Sequence, residues 1–134
     1  MSWDISVINF SKEYKSVDEI PADEEPLPLG TRTEMHEIIS EFFPNTDWSD
    51  PAWGIFLSKF GSIEFSLGNE NTSTSLMLHV RASNEIVPPI IELCNRNKWS
   101  ALDCNSGELL EHSENPAKGL ELWRAYLNQI LKNA

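Results

Sequence analysis

The stretch WDISVINF at residues 3–10 spaces Trp3, Ile5 and Val7 two apart, with Asp4 and Ser6 between them, the pattern of a strand that buries one face. The pattern breaks at residue 11. SKEYKSVDEIPADEEPLPLG carries Pro21, Pro26 and Pro28 together with acidic residues at 13, 18, 19, 23, 24 and 25, which predicts a long exposed acidic loop at about 11–30. TRTEMHEIISEFFP then places Met35, Ile38, Ile39, Phe42 and Phe43 at helical intervals. Thr31 is positioned to cap this helix with Glu34 reaching back, and Pro44 to stop it.

After NTDWSDPA, read as a loop, apolar or alternating runs at 53–57, 62–67 and 75–81 are joined by SKFG and GNENTST, whose glycine and asparagine suit tight reversals. These three runs predict an antiparallel meander. In the third, Leu76, Leu78 and Val80 share one face, leaving Met77, His79 and Arg81 on the other. A second helix is expected to begin near 84–88, with proline tolerated in its first turn and Val87, Ile90, Ile91 and Cys94 along one side. WSALDC predicts a further strand, with Leu102 and Cys104 opposite Trp99, Ala101 and Asp103, and the turn signal NSGE would return Leu109 and Leu110 as a short hairpin. From about 116 to 131, Leu120, Trp123, Leu127, Ile130 and Leu131 recur at helical spacing behind Pro116. The order β-α-β-β-β-α-β-α predicts one α+β domain over 1–134: a single-layer antiparallel sheet of about five strands with two or three helices packed on it.

With 134 residues, 40% of them hydrophobic, the chain suffices for one core. No window approaches the roughly 18 apolar residues of a membrane span. The first 25 residues lack a basic start followed by an apolar block. A cytoplasmic protein without membrane association is therefore expected. Charge adds more: 21 acidic residues against 10 basic give a net −11. Residues 1–70 hold fourteen acidic and four basic side chains, and residues 71–134 seven and six, so the excess sits in the first half. Such a surface repels phosphate backbones, which disfavours direct nucleic-acid binding, and it attracts a cationic protein partner. Acidity that serves solubility alone is the competing explanation.

Cys94 and Cys104 lack CxxC spacing, and a single bond between them is the most they offer a disulfide framework. Cys94 falls on an apolar helix stripe. Cys104 follows Asp103, whose charge opposes thiolate formation, so a small strand residue is expected there rather than a nucleophile. His36-Glu37 is half of a zinc-protease helix, but position 40 is serine where the second histidine belongs. GxGxxG, GxxxxGK[ST] and GxSxG are absent, so the sequence calls for no cofactor and no metal. His79 and Arg81 point to the same side of one strand and form, with Cys104, an alternative small-molecule or modest enzymatic site. TDWSDPAWG concentrates Asp47, Trp48, Asp50 and Trp53, carboxylates beside tryptophans that suit an interface anchor.

The strings DWSDPAWG, IEFSLG, MLHVR, PPIIELC and WSALDCNSGELL resemble a family of small bacterial proteins of unassigned function, over about residues 44–110. Such proteins are similar in size and charge to immunity proteins of toxin systems, by analogy only. The expectation is thus a non-enzymatic acidic protein-binding domain, with an immunity-type inhibitor of a cationic toxin as its concrete form. The residues expected to bind the partner are Asp18, Glu19, Asp23, Glu24, Glu25, Asp47, Trp48, Asp50 and Trp53. A monomer and a homodimer both remain open.

Overall fold

Alternating runs of the chain become a six-stranded antiparallel sheet in the computed structural model, which describes residues 1–133. The elements are β1 (Trp3–Ile8), β2 (Gly30–Thr31), α1 (Arg32–Phe42), β3 (Asp47–Asp50), β4 (Trp53–Ser58), β5 (Gly61–Ser66), β6 (Thr72–Ser73), β7 (Leu76–Ala82), α2 (Val87–Asn97), β8 (Ser100–Asp103) and α3 (Lys118–Asn133). The large sheet runs β3-β4-β5-β7-β1-β8, and β2 pairs with β6 as a separate ribbon. The α+β class and the helix-on-sheet arrangement stand as the patterning predicts.

Register sorts the side chains. Ile5 lies opposite Leu78, Leu78 opposite Phe65 and Phe65 opposite Gly54, so one row of buried residues crosses four strands. Trp3, Val7, Ile63, Leu76, Val80 and Ala101 complete this inner face. On it pack Met35, Ile39 and Phe43 from α1 with its C-cap, Val87, Ile90, Leu93 and Cys94 from α2, and Leu120 from α3. The capping box at α1 forms as read: Thr31 Oγ1 accepts from Glu34 N, and Glu34 Oε1 accepts from Thr31 N at 2.8 Å. Lys98 ends α2 in the left-handed conformation at φ 58°. No helix among the described residues is long and apolar enough to cross a membrane.

Four local expectations change. Residues 47–50, read as loop, form the edge strand β3. An edge strand needs one partner and few apolar residues, so it lacked the alternation by which strands are recognised. The hairpin expected at Leu109 and Leu110 shrinks to one bridge, Leu102 to Leu109, and a 3-10 turn at Leu110–His112. There the Glu111 carboxylate takes the outward-facing Ala101 N–H, at 3.1 Å, that a further strand would have used. Cys104 lies past the end of β8 and is exposed, because Asp103 Oδ1 accepts from the backbone of Asn105 and Ser106 and turns the chain. Finally, the loop at 11–30 is exposed apart from anchors such as Tyr14 and Leu29, which are buried, and Glu24 holds its base through Ser11.

Candidate functional site

The helices cover one face of the sheet and leave the alternate residues of every strand facing outward. Along β4 these are Trp53, Ile55 and Leu57, and the β4–β5 turn adds Phe60. Leu57 is 75% exposed, and Ile55 and Phe60 are each 39% exposed, so among the described residues the strand carries an apolar ridge that the fold covers only in part. Asp47 stands opposite Ile55 and Asp50 opposite Trp53 in the adjacent edge strand. The register therefore sets two carboxylates directly beside the ridge. Hydrogen bonds from the Ser49 hydroxyl and backbone hold the Asp47 carboxyl below its ordinary pKa, which keeps it anionic.

Polar side chains tie the middle of the open face together. Glu64 of β5 accepts from Trp53 Nε1 at 2.9 Å and from Arg81 Nη1 at 2.8 Å, fixing the indole against the sheet. His79 of β7 stacks on Trp53 at 5.5 Å and pairs through Nδ1 with Asp4 Oδ1 at 2.8 Å. Burial raises the Asp4 pKa, but hydrogen bonds from Ser2 and His79 and the charges of His79 and Arg81 outweigh it, so the carboxyl titrates below its ordinary value.

The residues singled out in the sequence divide into groups. Asp47, Asp50 and Trp53 come together on the ridge. Trp48 points the other way, under α1: its ring stacks on His36 at 4.1 Å, its Nε1 donates to Ser40 Oγ at 3.2 Å, and it lies flat over Gly54, where a Cβ would collide with the ring. Asp18 and Glu19 sit on a 3-10 turn at Val17–Glu19, beside Leu109 and His112 and so near β8. Asp23, Glu24 and Glu25 lie in the same loop, which joins the far end of β1 through the Asn9–Leu27 bridge. Asp18 and Glu19 thus lie toward the β8 edge, about 24 Å from β3 at five strand spacings, and Asp23, Glu24 and Glu25 lie toward β1, about 19 Å from β3 at four.

His79 and Arg81 share the open face, each bound to a carboxylate. Cys104 lines a cleft of about 330 Å³ with Asp4, Asn105 and residues of α3, and neither His79 nor Arg81 lines it. Partial burial, then the charges of Asp4 and Asp103, push the Cys104 thiol up, so it is held protonated at neutral pH. Cys94 is fully buried and pushed up further by burial. His36, His79 and His112 occupy three separate sites, bonded to Pro51 O, Asp4 and Glu13. No cluster of three metal-ligating side chains occurs among the described residues.

Ile55, Leu57, Phe60 and Glu64 escaped the sequence reading. For Ile55 and Leu57 the signal was the alternation in WGIFLS, where Trp53, Ile55 and Leu57 recur at a spacing of two; Phe60 and Glu64 lie outside it. No protein-family model, curated protein or solved structure matches the chain.

Proposed function

We propose that this chain is a non-enzymatic protein-binding domain whose open sheet face receives a cationic protein. The observation that carries the reading is the juxtaposition of a partly exposed apolar ridge on β4 with the carboxylates of β3. Apolar contact supplies the affinity, through the rigid, hydrogen-bonded Trp53 and the exposed Ile55 and Leu57. Asp47 and Asp50 pair with lysine or arginine at the rim and exclude anionic competitors.

The loop acids act differently. At about 19–24 Å they lie about two screening lengths from β3 at about 0.1 M salt, where the screening length is about 10 Å, so they steer approach mainly at low ionic strength. An immunity-type inhibitor that covers the basic surface of a toxin is the concrete form of this activity. Charge and size support it, by analogy. A small-molecule site at His79, Arg81 and Cys104 is not adopted, since the first two do not line the cleft that holds the thiol.

Calorimetric titration of the chain with any basic protein encoded by a neighbouring gene tests the reading. Leu57→Asp and Ile55→Ala should each weaken association about 10- to 100-fold. Asp18→Lys with Glu19→Lys should lower the association rate at low salt and leave affinity at about 0.15 M salt nearly unchanged. Equal affinity for all variants contradicts the proposal.

A further inference from the structure

Between the start of β1 and the flank of α3 lies the cleft of about 330 Å³ that holds Cys104. Trp3 and Asp4 from β1, Cys104 and Asn105 from the turn after β8, and Trp123 and Tyr126 from α3 line it. Its chemistry differs from that of the larger clefts. Those beside Lys15, Glu108 and Lys118 and beside Lys12, Glu13 and Lys98 mix acids with bases, so their charges can neutralise one another. Here Asp4 is the only charged side chain in the lining, set among three aromatic residues and neutral polar groups.

Two features leave bonding capacity unused at this cleft. The first is the Asp4 carboxylate. Ser2 Oγ and His79 Nδ1 both bond to its Oδ1, and among the described residues no donor is bonded to Oδ2. Arg81, whose charge also acts on Asp4, bonds instead to Glu64 and to Met1 O. The second is a pair of donors. Nε1 of Trp3, a residue only 1% exposed, and Nε1 of Trp123 are buried without a hydrogen-bond partner. The third such nitrogen among the described residues, Arg32 Nε, belongs to α1. Native proteins leave few buried donors unpaired, so two in the lining of one cleft mark a place for an acceptor from outside the chain.

We infer that this cleft binds a small organic cation: an ammonium group on an aromatic or other apolar body that carries a hydroxyl or carbonyl. The ammonium donates to Asp4 Oδ2 and rests against the rings of Trp123 and Tyr126, whose π-systems attract positive charge. The hydroxyl or carbonyl oxygen accepts from an indole. Both indole nitrogens lie beneath the surface, so the ligand engages them only as the rings shift. The Cys104 thiol, held protonated by partial burial and by the charges of Asp4 and Asp103, brings no competing charge. The volume falls at the low end of the roughly 300–1,000 Å³ of ligand pockets, so the ligand is small. Nothing in this inference depends on the binding role of the β4 ridge.

Titration of the full chain with tyramine, its uncharged analogue para-ethylphenol and the anion para-hydroxyphenylacetate, followed by calorimetry and tryptophan emission, tests it. Tyramine should bind with a dissociation constant on the order of 0.1 mM, at least about 10-fold tighter than either other probe. It should also shift the indole emission and slow the labelling of Cys104 by a thiol reagent. Asp4→Asn should weaken tyramine binding at least about 10-fold. Because that change also lowers stability, a second variant stands beside it: Tyr126→Leu, at a side chain 59% exposed, should weaken tyramine about 3-fold without altering thermal unfolding, whereas Tyr126→Phe should keep the native affinity. Leu57→Asp, on the ridge, should leave tyramine binding unchanged. Equal affinity for the three probes overturns the inference, as does the absence of saturable tyramine binding below about 10 mM, or binding that ignores both the Asp4 and the Tyr126 substitutions.

Discussion

Trp48 and Trp53 stand five positions apart in one acidic segment and do opposite work. Trp48 packs under α1 against His36 and Phe65, so Trp48→Ala should cost about 2–4 kcal/mol in denaturant unfolding. Trp53→Ala should cost far less stability and most of its effect should appear in partner affinity. Composition could not separate the two, because both lie beside aspartates. Their facing depends on the bulge between Asp47 and Asp50, which shifts the register of β3 against β4. Asp4 invites a pH test. Its folded pKa is lowered, so its stabilising contribution is complete above the ordinary value of 3.8 and is lost as the pH falls through the folded value. Urea midpoints of the native protein and Asp4→Asn should therefore differ at neutral pH and converge toward about pH 2. The His79–Asp4 pair itself was not legible, since its members lie 75 residues apart and meet only through the β1–β7 register.

Elements with strong local signals were legible from the residues alone. The α1 capping box is the clearest case: Thr31 and Glu34 satisfy each other's backbone donors as read, and Thr31→Ala should lower stability by about 1 kcal/mol in thermal or denaturant unfolding. Elements whose form depends on a distant neighbour were not legible. Edge strand β3 exists because β4 offers it a partner, and Cys104 leaves its strand because Asp103 folds its carboxylate back on the turn. The start of α3 shows the same dependence. Gly119 passes so close to the Asp103 carboxylate and the Trp3 indole that an added Cβ would collide with both. Gly119→Ala, ordinarily favourable within a helix, should here destabilise the protein by about 1–3 kcal/mol. The helical period foresaw an inward face through Ile130 and Leu131, yet among the described residues α3 meets no core beyond Trp123 and Leu127, and both side chains stay exposed.

At the scale of the whole molecule, the helices gather on one side of the sheet and make two unlike surfaces from one alternating pattern. One face is the core. The other presents a ridge beside carboxylates, and the acidic loop that dominates the charge count lies at the far edge. Charge alone suggests a basic partner without locating its seat, because six of the nine expected contact residues lie in the loop or under α1, and the exposed Ile55 and Leu57 carry no charge to count. Side-chain footprinting with hydroxyl radicals, on the chain alone and bound to its basic partner, tests this account most directly. It predicts strong protection of Trp53, Leu57 and Phe60, with the loop at residues 11–30 left nearly as reactive as in the free protein. Protection confined to the loop, or to the helical side, would contradict it.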